Sequence, residues 1–274
     1  MEDTGIGSTA SFTVLNHEVK NWQIIAVPLI AIMIAEILQY TGDLKACIFL
    51  HVVILLSLIL SPVWISESST GNSLQALALL PLLRLLNISM PVFSETTLYM
   101  FIFIYTPLLV TCYLIARNQL IPLFQEGNTL KNLYIYIPLA LLTGYFIGLA
   151  EWHTINAGNL IPDLSLKSLL ELSFVMILVV GFTEELIFRS LLQTRLQTSF
   201  GMKNGLLITS IMFGIMHAGY GSFYELLITA SAGILLGYMF QKTGSLVLVS
   251  FTHGFVNIFL FGLIPLLGPG LGLF

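Results

Sequence analysis

The chain has 274 residues, 57% of them hydrophobic and 9% charged, with a formal net charge of -4 and a mean hydropathy of +0.94. That composition excludes an ordinary water-soluble domain, and without a basic stripe nothing suits a nucleic acid backbone. A multi-pass membrane protein is left, and its partners are the lipid bilayer and whatever the bilayer presents.

A crossing needs about 20 mainly apolar residues, each pairing its backbone polar groups within its own segment. The opening stretch MEDTGIGSTASF lacks a cationic region, so no removable signal peptide is expected. Apolar runs bounded by polar, Gly or Pro residues then predict spans near 23–40, 45–65, 74–92, 97–117, 132–151, 167–195, 203–218, 223–240 and 245–264. The fold class is therefore all-α, a polytopic transmembrane helix bundle of about eight or nine spans. The third run contains Pro81 and Arg84 and could instead be re-entrant or interfacial. Residues 1–160 read as N-terminal transmembrane helices and 161–274 as a denser core.

Positive loops tend to stay in the cytoplasm. With the N-terminus inside, the inner loops collect Lys20, Arg117, Lys131, Arg195, Lys203 and Lys242, and the outer loops only Lys45 and Lys167. The expected location is the cell membrane, with the N-terminus inside.

In the N-terminal half, Glu36, His51 and Arg84 stand alone in apolar runs, and are expected to pair with one another or to snorkel. Cys47 and Cys112 lie in apolar runs without CxxC or Cys/His spacing, as packing residues do. Glu151, His153 and Asp163 fall at a predicted boundary and are expected in a solvated loop. Gly233 and Gly237 form a GxxxG step beside Ala230, Ser231 and Ala232, which predicts close helix packing.

The densest polar signal is GFTEELIFRS at 181–190. On a helix Glu185 and Arg189 share a face at i, i+4 with the acid first, whereas Glu184 is rotated by about 100° and lacks that partner. Phe213 with His217, and His253 with Asn257, repeat the i, i+4 spacing on two further helices. At about 1.5 Å per residue from the inner loops, Glu184, His217, His253 and Asn257 lie roughly 13 to 21 Å deep. Buried ionisable groups are costly, so three helices delivering them to similar depth predict one polar cavity, reached from the cytoplasmic side.

Two chemistries fit such a set. A desolvated Glu184 can take a proton from water while a neighbouring His holds that water and His or Asn donors meet the oxyanion. Alternatively Glu184, His217 and His253 can hold zinc with an open fourth position, although HExxH is absent and spacing alone does not certify the metal. A proton or ion relay in a transporter, or a non-catalytic scaffold or immunity protein, are the readings from other classes.

EELIFR at 184–189, FGIMH at 213–217 and HGFVN at 253–257 resemble, in order, the three motifs of the CPBP family. These are the CAAX proteases and bacteriocin-processing enzymes, also called Abi, with the Rce1-type endopeptidases among them. The resemblance covers roughly residues 165–265. It implies an intramembrane peptidase in which Glu184 activates water, His217 helps to hold it, and His253 with Asn257 forms the oxyanion side. It further implies that Glu185 and Arg189 are a supporting pair, with Phe213 a packing residue beside them. Ser190 stands where many such proteins carry Gly. The implied partner is a membrane-associated protein or peptide substrate, prenylated CAAX-type or a precursor peptide, with no cofactor favoured and zinc the alternative.

Overall fold

The structure is a computed structural model that describes residues 11–14, 17–89, 97–122 and 132–272, the first two strands by their backbone alone. The expectations for residues 1–10, for the end of the third span at 90–92 and for Lys131 fall outside the described residues. Helices occupy every predicted run: α1 (Asn21–Tyr40), α2 (Leu44–Leu60), α3 (Ser68–Ser89), α4 (Met100–Asn118), α5 (Leu133–Ile155), α6 (Leu166–Phe200), α7 (Met202–Ile215), α8 (Phe223–Thr243) and α9 (Leu246–Leu267). A short antiparallel hairpin, β1 (Ser11–Val14) with β2 (His17–Lys20), precedes α1 and was not foreseen.

Seven of these helices are long and apolar enough to cross a membrane, and α3 and α7 are the two that are not. The α3 helix carries Asn72, Gln75, Arg84 and Asn87 among its leucines. At 14 residues, α7 extends only about 21 Å against a hydrocarbon core of about 30 Å. The protein is a multi-pass helical membrane bundle, with exposed faces rich in large apolar residues such as Phe49, Phe103 and Phe146, as a lipid-facing surface requires.

Local signals set the helix ends. The side chains of Asp43, Ser165, Ser222 and Ser245 accept from the backbone amides of Ala46, Ser168, Glu225 and Leu248, satisfying donors that the first turn leaves unpaired. Gly244 closes α8 in the left-handed region at φ 63°, where a Cβ would be strained.

Polar contacts tie one end of the bundle together. Arg195 Nε donates to Gln119 Oε1 at 2.7 Å, Gln119 Nε2 donates to the Asn72 carbonyl at 3.1 Å, and Ser73 and Ser199 hydroxyls meet at 3.3 Å. The start of α3 and the ends of α4 and α6 therefore lie together, with Arg117, Arg195, Lys203 and Lys242 at or near that end. The opposite end gathers the end of α1, the start of α4, the turn after α7 and the start of α6. The α7–α8 contact uses the small residues expected to allow it: a Cβ on Gly233 would lie 3.1 Å from Ser210 Cα.

The lone polar residues of the N-terminal half do find each other. Arg84 Nε and Nη2 donate to the two Glu36 carboxylate oxygens at 2.9 and 2.6 Å. His51 Nε2 lies 3.2 Å from Glu36 Oε1, a close polar contact without the alignment of a hydrogen bond. Cys47 and Cys112 are free and buried, as packing residues should be.

One boundary reading is corrected. The α5 helix runs four residues past its expected end and buries Glu151 instead of leaving it in a solvated loop. Glu151 lies in the same region as Glu225, whose Oε2 accepts from Thr154 Oγ1 at 2.5 Å. His153 is exposed but sits on α5 and not in a loop, whereas Asp163 is exposed in the loop as expected, and hydrogen bonding, first from Ser165 and then from Ser168, holds its carboxyl below its usual range.

Candidate active site

Helix α6 is not uniform. Its segments Phe174–Gly181 and Leu186–Gln193 are π-helical and flank a short α-helical stretch, Phe182–Glu185, that carries both acids. Widened turns of this kind re-aim side chains within a helix and often mark functional positions. Beside this stretch α9 approaches closely. A Cβ on Gly181 would lie 2.9 Å from the Ser250 carbonyl oxygen, and one on Gly254 would lie 2.5 Å from Ile177 Cγ1. Two glycines facing across the contact let the backbones meet and bring His253 against the acids of α6.

The two acids then separate in role. Glu185 is fully buried with both oxygens engaged: Oε2 accepts from Arg189 Nε at 2.8 Å and Oε1 accepts from His253 Nδ1 at 2.8 Å. Glu184 is not drawn into that pair. Its Oε2 lies 3.7 Å from His253 Nε2, and its Oε1 accepts a hydrogen bond from the Tyr105 hydroxyl. Glu185 and Arg189 pair across the expected i, i+4 step, and Glu184 lies outside that pair.

His217 follows the end of α7, and its Nδ1 is 2.9 Å from the Phe213 carbonyl. A carbonyl only accepts, so Nδ1 carries the proton, and in the neutral ring the lone pair falls on Nε2. The Phe213 ring packs edge-on against His253 at 5.7 Å and lies under the Arg189 guanidinium at 5.0 Å. Phe213 is thus a packing residue that touches two members of the polar set. The Arg189 Nη1 and Nη2 atoms are buried without hydrogen-bond partners among the described residues.

Glu184, His217, His253 and Asn257 line one cavity of about 250 Å³, which the first three reach from three helices or their ends. The arrangement offers a carboxylate, two imidazoles and an amide around a volume large enough for several waters or a peptide group. Arg84 and Tyr105, from α3 and α4, line it as well, so the cavity is not confined to residues 161–274. Reading the sequence missed Tyr105. Its only signal was a lone phenol in the apolar run FIFIYTPLL, which buried in hydrocarbon has to find an acceptor.

The lining residues also bear on sidedness. Met176, Gly219, Tyr220 and Phe261 extend the cavity from Glu184 toward the end of the bundle opposite Arg195 and Lys203. A cytoplasmic opening and an inside N-terminus therefore pull apart.

Among the described residues no group of three or more His, Cys, Asp or Glu side chains is gathered closely enough to hold a metal ion as placed.

Residues 166–259 match the family model described as type II CAAX prenyl endopeptidase Rce1-like. The match covers about a third of the chain and includes all three motifs, in agreement with the resemblance seen in the sequence. No curated protein and no solved structure matches the chain.

Proposed function

We propose that the protein is an intramembrane endopeptidase that hydrolyses a peptide bond in a membrane-associated substrate by Glu184-activated water. The observation that carries this reading is the division of the adjacent acids. Glu185 is consumed by Arg189 and His253, whereas Glu184 faces the cavity with His217, His253 and Asn257 around the same space. The Rce1-like match at 166–259 supports peptide-bond chemistry at that place.

In the reaction, a water held between Glu184 Oε2 and His217 Nε2 gives a proton to Glu184. The resulting hydroxide adds to the scissile carbonyl carbon, and its oxygen becomes an oxyanion. The Asn257 amide N–H groups, with Nε2–H of His253 in its imidazolium form, meet that oxyanion. Collapse breaks the C–N bond, and the proton held by Glu184 passes to the leaving nitrogen. Glu185 acts as the acceptor that orients His253, and Arg189 neutralises Glu185. The substrate class is a prenylated CAAX-type protein or a precursor peptide, met at the cell membrane.

Which side it is met on follows from the orientation of the bundle. The cavity faces the cytoplasm only if the α6 start and the turn after α7 do, the reverse of what the Lys and Arg distribution favours.

The test is cleavage of lipidated and unlipidated membrane peptides by purified protein in detergent, with products identified by mass, before and after exhaustive chelation. Cleavage that persists supports the metal-free reading. Loss that zinc alone restores would replace it with a zinc peptidase using Glu184, His217 and His253.

A further inference from the structure

We infer that Tyr105, on an N-terminal helix outside the family match, is a positioning residue for Glu184 and makes α4 part of the catalytic apparatus. The inference rests on the hydrolytic reading above. Tyr105 is 4% exposed and its hydroxyl donates to Glu184 Oε1. Phe101, one turn earlier on the same helix, stacks on the Tyr105 ring with centroids 6.3 Å apart and planes 24° apart, which limits where the hydroxyl can point.

A phenol has one proton to give, and here it goes to the carboxylate, so Tyr105 does not donate to a substrate at the same time. The consequence lies with Glu184. A free glutamate side chain samples several rotamers and can present either oxygen. With Oε1 fixed by Tyr105, Oε2 is turned toward His253 Nε2 and the cavity, where the reactive water has to sit. The acid is thereby set before the substrate arrives, and a group held in place in advance accelerates the step it serves. The N-terminal helices contribute more than a membrane anchor, since one of the contacts on the reacting carboxylate comes from them.

Tyr105→Phe removes the hydroxyl and keeps the ring, its stacking on Phe101 and its volume. In detergent, kcat on a reporter peptide is expected to fall about 10- to 100-fold, with KM within about twofold and thermal stability close to the parent. Glu184→Gln runs alongside. Cleavage retained by Glu184→Gln would remove the hydrolytic reading itself. Cleavage lost in Glu184→Gln but unchanged in Tyr105→Phe would remove only the role of Tyr105, as would a loss that merely tracks the folded fraction.

A second readout does not depend on turnover. The infrared difference between parent and Glu184→Gln isolates the Glu184 carboxylate band. The same difference taken in the Tyr105→Phe background is expected to show that band moved, and an unmoved band would overturn the contact.

Discussion

His253 donates Nδ1–H to Glu185 Oε1 at 2.8 Å, and that contact leaves Nε2 on the side of Glu184, 3.7 Å from Oε2. One imidazole therefore reads both acids of the Glu184–Glu185 pair, holding one and facing the other. Glu185 in turn is fixed by Arg189, so the orientation of His253 is set from α6 by a buried ion pair.

Removing that support is a stability experiment. Glu185→Gln or Arg189→Ala leaves one buried charge without its partner, at a cost of about 3 to 5 kcal/mol. Folded yield and thermal midpoint in detergent should drop sharply in both. Glu184→Gln should behave like the parent, because the amide keeps an acceptor for Tyr105 and His253 stays paired with Glu185. An equal loss in all three would show the acids to be misassigned.

The cluster of Glu36, His51 and Arg84 predicts a coupled response. Glu36→Gln or Arg84→Met alone should each lower stability by about 3 to 5 kcal/mol, whereas the double variant should lose less than the sum of the singles. Additive losses in a double-mutant cycle of thermal stabilities would mean that the pair does not act as a unit. Arg84 also donates to the Met216 carbonyl, next to His217, so the singles should lower activity per folded molecule as well.

Close approach of α6 and α9 depends on Gly254. Gly254→Ala places a methyl 2.5 Å from Ile177 Cγ1 and 2.7 Å from Ile177 Cα, and a backbone atom cannot step aside as a flexible side chain can. Overpacking there should cost about 1 to 3 kcal/mol and move His253 away from the acids. A Gly254→Ala protein with parental thermal midpoint and activity would contradict the contact.

Sidedness can be read with single cysteines, because Cys47 and Cys112 are buried and should stay silent to a membrane-impermeant maleimide. If the Lys and Arg balance sets the orientation, Met202→Cys should label only from the cytoplasm and Leu166→Cys only from outside, both positions being exposed. The reverse pattern would turn the cavity toward the cytoplasm.

How much of this the sequence carried differs by feature. Helix positions were legible because a bilayer crossing demands its own apolar run, and all nine runs became helices, although α3 and α7 are not long and apolar enough to cross. The Glu185–Arg189 pair was legible because i, i+4 geometry is local. The π-helical turns around Phe182–Glu185 were not, since a continuous apolar run does not distinguish an i, i+5 turn from an i, i+4 one. Tyr105 was missed and Glu151 misplaced in a loop for a related reason: the environment that buries a phenol or an acid is built by other helices. Glu36, His51 and Arg84 fell between these cases, visible as residues that needed partners and resolved only once α1, α2 and α3 were seen together.

Whether Glu184 is the acid that activates water is read from peptide cleavage by purified parent and Glu184→Gln at matched folded concentration. General base catalysis contributes about 10²- to 10⁴-fold, so Glu184→Gln should lose at least that much rate with its thermal midpoint preserved. Cleavage by Glu184→Gln at a rate near the parent's would contradict the account.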